Sequence, residues 1–477
     1  MKRYADFYAE GAFLPCTNGE SLPVTNPSTE RVIGEVVLSS MEDVGRAIAS
    51  ARSGADGWAT STLDQRRQVL LKLRSEMETR LDKFAVSLAE EMGCPVWLGK
   101  LMQVPMPLKG LDYAFEGLDH IQWREQIRNG LVERVPAGVI AAITPWNFPL
   151  HQIVAKIAAC IAAGCAVVLK PSEVAPGAAQ LLMEAVHSCG LPPGVVNMVW
   201  GDAKVGHLLV SDLRVDRISF TGSTAVGRRI MQTAAESLKP LTLELGGKSA
   251  AVLLEDVDLD AAVSSVTRLA LANSGQACVS QSRLIAPKRL VPEIIERFIS
   301  AVEAWPIGDP RLETTRLGPV ATQSQFLHVN GMIERAIHEG ATLCTGGSGR
   351  PEGFERGWFV QPSLFVDVAP HMELAQREVF GPVLALMSYE TEDEAASLAN
   401  STPYGLSGAV WSKDGPRATR FAQRMKTGQV VINGAAQNLA TPFGGWGQSG
   451  FGRENGRYGI EDLLNYRSLH GAYSSDS

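Results

Sequence analysis

From Gly138 onward, short apolar runs alternate with helical patterns at a near-constant interval. Residues 139–143 form one continuous apolar run. Residues 153–163 follow a helical period, and 166–169 are strand-like again. A helix over 175–189, strands over 195–200 and 217–220, and a helix over 226–236 continue the series. Strands separated by helices of this length predict βαβ units around a parallel sheet. A second set follows Gly247, with strands over 250–254 and 429–433 and a helix over 259–273. The fold class expected is α/β with two parallel-sheet domains. Residues 130–136 alternate polar and apolar positions and read as an exposed strand, and the tail from Leu464 has the same character.

The chain has 477 residues, enough for about three domains, and 45% hydrophobic with 20% charged residues is ordinary for a globular protein. Net charge is −7 and no Lys/Arg run occurs, so nucleic acid is not an expected partner. Cysteines at 16, 94, 160, 165, 189, 278 and 344 contain no Cys-x-x-Cys, which predicts reduced thiols and a cytoplasmic protein. Met1-Lys-Arg is followed by Asp6 and Glu10 without an apolar stretch, so no export signal is expected. The most apolar window, 153–169, contains Lys156 and is too short to span a membrane. The eight histidines are isolated from one another, and no metal site is predicted.

Two segments carry chemistry. Cys278 lies in Leu271-Ala-Asn-Ser-Gly-Gln-Ala-Cys-Val-Ser280, and Glu244 lies 34 residues upstream in Leu243-Glu-Leu-Gly-Gly-Lys-Ser249. A thiol can attack a substrate and a carboxylate can later activate water to release the product. Each residue has a plainer reading: a small buried hydrophobe for Cys278, a surface charge for Glu244. In Thr144-Pro-Trp-Asn-Phe-Pro149 two prolines fix a turn from which the Asn147 amide can donate to an oxyanion; a plain turn residue is the alternative. Leu169-Lys-Pro-Ser-Glu-Val-Ala-Pro176 follows a strand. Lys170 can bind ribose hydroxyls or a phosphate there, and Glu173 can accept from a ribose 2′-OH; the plain alternative is a solvated Lys and a helix cap from Ser172 and Glu173. Across Phe220-Thr-Gly-Ser-Thr-Ala-Val-Gly227 a strand gives way to a helix, whose first N–H groups suit a pyrophosphate. The spacing of Gly222 and Gly227 departs from Gly-x-Gly-x-x-Gly, and a turn capped by Ser223 is the alternative.

Together these segments resemble the NAD(P)-dependent aldehyde dehydrogenase superfamily, non-acylating type, over about residues 15–470. Asn147, Lys170, Glu244, Cys278 and Glu378 occur in the family's order. The resemblance implies a Rossmann-like NAD-binding domain (1–117 and 138–246), a catalytic domain (247–447) and a small β oligomerisation arm with tail (118–137 and 448–477). It implies that Cys278 forms a thiohemiacetal and then a thioester, with Asn147 holding the oxyanion and Glu244 activating water. Trp146, Lys170, Ser172, Glu173, Gly222, Ser223 and Gly227 would contact the cofactor, joined by Glu378 and Phe380 of Glu378-Val-Phe-Gly-Pro382. A carboxylate at 173 favours NAD over NADP. The substrate is a small-molecule aldehyde, with Phe148, His151, Ala155, Val279 and Phe443 forming its pocket. Many relatives carry Trp at the position of Ala155, and a succinic-semialdehyde branch carries Arg. A small residue there points to medium-chain or aromatic aldehydes. A homodimer or homotetramer is expected, with no nucleic acid or membrane partner. The alternatives are a semialdehyde dehydrogenase, a CoA-acylating aldehyde dehydrogenase and a non-catalytic protein on the same fold.

Overall fold

The computed structural model describes residues 1–17 and 19–472. Its first sheet has eight strands in the order Gly450–Phe451, Leu241–Glu244, Arg217–Thr221, Val139–Ile143, Ala166–Lys170, Val196–Met198, Asp6–Ala9 and Ala12–Pro15. The five central strands run parallel, and the outer pairings are antiparallel. Val139–Ile143 and Ala166–Lys170 are buried along their whole length. That is why they read as unbroken apolar runs: helices cover both faces of the sheet.

Successive strands leave Val139–Ile143 first toward one side and then, from Arg217, toward the other. This reversal opens a crevice at the carboxyl ends of the strands. Asn147, Lys170, Gly222 and Glu244 all lie at those ends.

The second sheet has seven strands, in the order Thr342–Thr345, Ser363–Val366, Val383–Tyr389, Arg283–Pro287, Ala250–Leu253, Ser407–Trp411 and Gln429–Ile432. Only the Thr342–Thr345 edge is antiparallel. Its register places Ala250 beside Arg283 and Arg283 beside Ala385. The segments just before these three strands therefore converge. They carry Gly247 and Lys248, Cys278, and Glu378 with Phe380. These segments face the crevice at the carboxyl ends of the first sheet from the amino ends of the second.

Arg124–Ile127, Gly130–Pro136 and Leu464–His470 form a separate antiparallel sheet. The tail expected from 448 is divided. Gly450–Phe451 joins the edge of the first sheet, and the last residues, 473–477, lie outside the described residues. Gly450 can pair there because a Cβ would stand 1.9 Å from the Leu243 carbonyl oxygen. Among the described residues no helix is long and apolar enough to cross a membrane.

Candidate active site

Cys278 stands in a tight turn, with Ser280 N donating to the Ala277 carbonyl at 3.0 Å. The approach to this turn is unusual. Asn273, Ser274 and Gly275 are consecutively left-handed, with φ of 53°, 56° and 73°. Such a run costs about 1–3 kcal/mol at each non-glycine position and persists only where surrounding contacts enforce it. Here they do. Ser274 Oγ donates to the Gly318 carbonyl at 2.7 Å, and Ala321 N donates to Gln276 Oε1 at 2.8 Å. Gln276 Nε2 returns a bond to the Asn273 carbonyl at 2.9 Å.

The same network holds Asn147. Its Nδ2 donates to the Gln276 carbonyl at 3.1 Å. Its own carbonyl accepts from Asn273 Nδ2 at 2.9 Å and from Gln103 Nε2 at 3.2 Å. An amide nitrogen has two hydrogens, so Asn147 keeps one free for a ligand. Gln103 ends a π-helix, Gly99–Gln103, an uncommon element often found at functional sites. No local pattern marks Gln103, Asn273 or Gln276 as partners of Asn147.

Glu244 ends its strand 2% exposed, and neither carboxylate oxygen has a hydrogen-bond partner among the described residues. Burial, reinforced by the charge of Glu454, pushes its pKa well above the usual carboxylate range. Gly444 lies against it: a Cβ at 444 would stand 2.7 Å from Glu244 Oε1. Beside Glu244 is a buried pair the sequence reading did not assemble. Lys156 Nζ donates to Glu454 Oε1 and, at 2.9 Å, to Ser219 Oγ. Lys156 had a signal, since a lysine inside an apolar helix needs a partner. Glu454 had none. For Cys278, burial together with the Glu378 and Glu244 carboxylates pushes the thiol up to about 12.

Glu378 Oε1 accepts from Gly247 N at 3.2 Å, and burial raises its carboxyl to about 7. Phe380, held at φ 56°, meets Trp146 edge-to-face at 5.5 Å. A cavity of about 380 Å³ lies between helices Ala203–Ser211 and Thr224–Ala235. Phe220, Val226 and Ile230 are among its walls, with Lys170 and Glu173 also lining it. Apolar walls with a charged pair suit a flat base joined to a ribose. Lys170 Nζ lies 3.6 Å from Glu173.

Ser172 caps no helix. Its Oγ accepts from Val174 N at 3.3 Å, and the helix starts later, at Pro176. Ser223 does cap its helix, accepting from Val226 N at 3.4 Å. Gly222 and Gly227 have packing reasons of their own: Cβ atoms there would lie 2.5 Å from the Phe220 ring and 2.6 Å from Leu245.

On helix Pro149–Ala163, only His151 and Ala155 are not fully buried, and Phe148, just before it, is likewise half-buried. Spacings of three and four put these residues on one face. His151 Nδ1 has no partner among the described residues, and burial lowers its pKa to about 4, so the ring is neutral. Ala155 borders a cavity of about 10 Å³ with Lys156, Arg453 and Glu454. Val279 is half-buried beside Cys278, and Phe443 is tied by its backbone to Glu454. Among the described residues no group of three or more metal-ligating side chains is gathered.

Residues 13–469 match the Aldehyde dehydrogenase family. The chain is 42% identical over 476 residues to a 3-succinoylsemialdehyde-pyridine dehydrogenase of Pseudomonas sp, with 99% of each chain covered. Among solved structures it resembles aldehyde dehydrogenase C of Pseudomonas syringae, an alanine-for-cysteine variant in complex with NAD+ and octanal. That likeness has a TM-score of 0.97 and 40% identity, and covers 99% of this chain and 98% of that one. An NAD+ complex of a Mycobacterium tuberculosis aldehyde dehydrogenase follows at TM-score 0.96 and 39% identity, with 99% of each covered. The chain belongs to the aldehyde dehydrogenase family. It is an NAD-dependent enzyme that oxidises an aldehyde to the carboxylic acid.

Proposed function

We propose that Cys278 is the nucleophile, Asn147 the oxyanion donor and Glu244 the base for hydrolysis. The observation that carries this reading is the convergence at one turn. The Asn147 amide is anchored two residues before Cys278 with one hydrogen to spare, and Glu244 is buried with both oxygens free of protein partners. Cys278 Sγ gives its proton to solvent water and adds as thiolate to the aldehyde carbon. The free Nδ2 hydrogen of Asn147 and the Cys278 backbone N–H stabilise the oxyanion. NAD, when bound, would supply the hydride acceptor for oxidation of the Cys278 thiohemiacetal to a thioester. Glu244 takes a proton from water, and the water oxygen attacks the thioester carbon to release acid and thiol. Glu454 raises the proton affinity of Glu244 and Lys156 lowers it, so this pair sets the balance.

Lys170 and Glu173 would hold the adenosine ribose, Trp146 and Phe380 would flank the nicotinamide, and Glu378 would bind its ribose. A carboxylate at 173 repels a 2′-phosphate and disfavours NADP. The substrate is a medium-chain or aromatic aldehyde. Support comes from the Phe148, His151 and Ala155 face, and from relatives whose names carry octanal and a pyridine semialdehyde. The neutral His151 can hydrogen-bond a polar tail but offers no charge to a carboxylate. Edge strands in the arm support a homodimer or homotetramer, and the cysteine usage supports the cytoplasm.

Glu244→Gln tests the assignment. Rapid mixing with saturating aldehyde and NAD should give a burst of about one NADH per active site and then a stall, because hydride transfer precedes hydrolysis. A variant with neither burst nor turnover would place Glu244 before hydride transfer.

A further inference from the structure

Beside the segment that ends at Ser249 lies a cavity of about 20 Å³. Lys248, Ser249, Arg283, Ser407 and Thr427 line it, and it reaches the surface beside the exposed Lys426. Four of its lining atoms are buried and without hydrogen-bond partners among the described residues: Lys248 Nζ, Ser249 Oγ, Ser407 Oγ and Thr427 Oγ1. One such atom would be ordinary, but four around one space are the lining of a binding site. All four can donate, and Lys248 is 1% exposed.

The charges point the same way. Arg283 is also 1% exposed and gives its hydrogens to neutral oxygens. Nε donates to the Lys248 carbonyl at 2.8 Å, Nη1 to the Leu398 carbonyl at 2.8 Å and Ser401 Oγ at 3.2 Å, and Nη2 to the Ala399 carbonyl at 2.8 Å. Glu378 is the carboxylate acting on Lys248, and it is already bonded to Gly247 N. Lys248 thus feels one carboxylate and one further buried cation, Arg283, with Lys426 adding positive charge at the rim. A single monovalent anion balances the group. Without a counter-charge, burial and the neighbouring Arg283 lower Lys248 to about 7, which reflects the cost of an unpaired buried ammonium. The space exceeds the roughly 10–15 Å³ that one water needs, but not by enough for a phosphate or carboxylate.

We propose that this cavity is a binding site for a monatomic, halide-sized anion, held by the Lys248 ammonium and the Ser249, Ser407 and Thr427 hydroxyls. Its lining includes none of the substrate or cofactor residues named above. The cavity adjoins the loop that joins Glu244 to the second sheet.

Bromide is the probe. Crystals of the full-length enzyme in sodium bromide should show one anomalous bromine peak within hydrogen-bonding distance of Lys248 Nζ. In solution, replacing gluconate by bromide at constant ionic strength should raise Tm saturably. For a site half-filled at about 10 mM, 100 mM bromide shifts the folding equilibrium about tenfold. Thr427→Val and Ser407→Ala, which keep the charge, should weaken the effect at least several-fold, and Lys248→Met should abolish it. An ordered water at the position with no anomalous signal would overturn the proposal, as would equal stabilisation of wild type and Thr427→Val. If Lys248→Met fails to fold, the crystal and the two hydroxyl variants still decide.

Discussion

Cys278 is chemically quiet at rest. Burial and two carboxylates raise its pKa to about 12, so the free enzyme at neutral pH holds a thiol. Alkylation by iodoacetamide should therefore be slow at pH 7 and rise about tenfold per pH unit past pH 10, because thiolate fraction grows tenfold per unit below the pKa. Glu378→Gln removes a negative charge that opposes the thiolate, so its curve should shift to lower pH. A plateau near pH 8.5 in the wild type, read by mass spectrometry of the Cys278 peptide, would show that the environment does not hold the proton. The residues proposed to react were marked in the sequence because each is a particular side chain in a small-residue segment. The residues that hold them were not. Gln103 meets Asn147 across 44 positions and Glu454 meets Lys156 across 298, and nothing local marks such partners.

At the scale of elements, the fully buried strands were readable because burial on both faces leaves an unbroken apolar run. The π-helix Gly99–Gln103 and the short strands Asp6–Ala9 and Gly450–Phe451 were not, since their contacts are long-range and their runs are too short to show a period. The left-handed run before Cys278 is similarly silent, although it sets the turn that carries Cys278. A Cβ at Gly275 would meet the Gly381 carbonyl oxygen at 2.1 Å, at a φ of 73°. Gly275→Ala should lower stability by about 2 kcal/mol or more and cut turnover, read as a lower denaturant midpoint with reduced kcat. Unchanged values would mean that the loop re-forms without strain. The helix from Pro149 makes a different prediction. Ala155 lies about two turns beyond Asn147, on its half-buried face. Ala155→Trp should raise KM several-fold for octanal and benzaldehyde while sparing acetaldehyde. A uniform loss with a lower Tm would show instead that Ala155 is packing.

The whole molecule leaves sheet edges open. Leu464–His470 borders the arm with every residue after Leu464 exposed, including Tyr466 at 68%. Gln429–Ile432 borders the second sheet, half-buried throughout. Unpaired edges are normally covered, and closed symmetric assembly is the common way. Light scattering at micromolar concentration should give two or four times the chain mass; the mass of one chain would refute it. The alternation in 130–136 made the arm legible, whereas its partner strand, more than 300 residues later, was apparent only as a similar pattern.

The return of Gly450–Phe451 to the first sheet, with Glu454 close behind, bears on how the protein is made. When residue 246 leaves the ribosome, the first sheet lacks its Gly450–Phe451 edge, and Lys156 on helix Pro149–Ala163 lacks its buried counter-charge. Translation of the roughly 200 residues still to come takes about 10–40 s at 5–20 residues per second. Throughout that interval the nascent first half is an unfinished body, a substrate for chaperones and proteases. The enzyme's two halves must therefore mature together, and neither can be released as a finished piece.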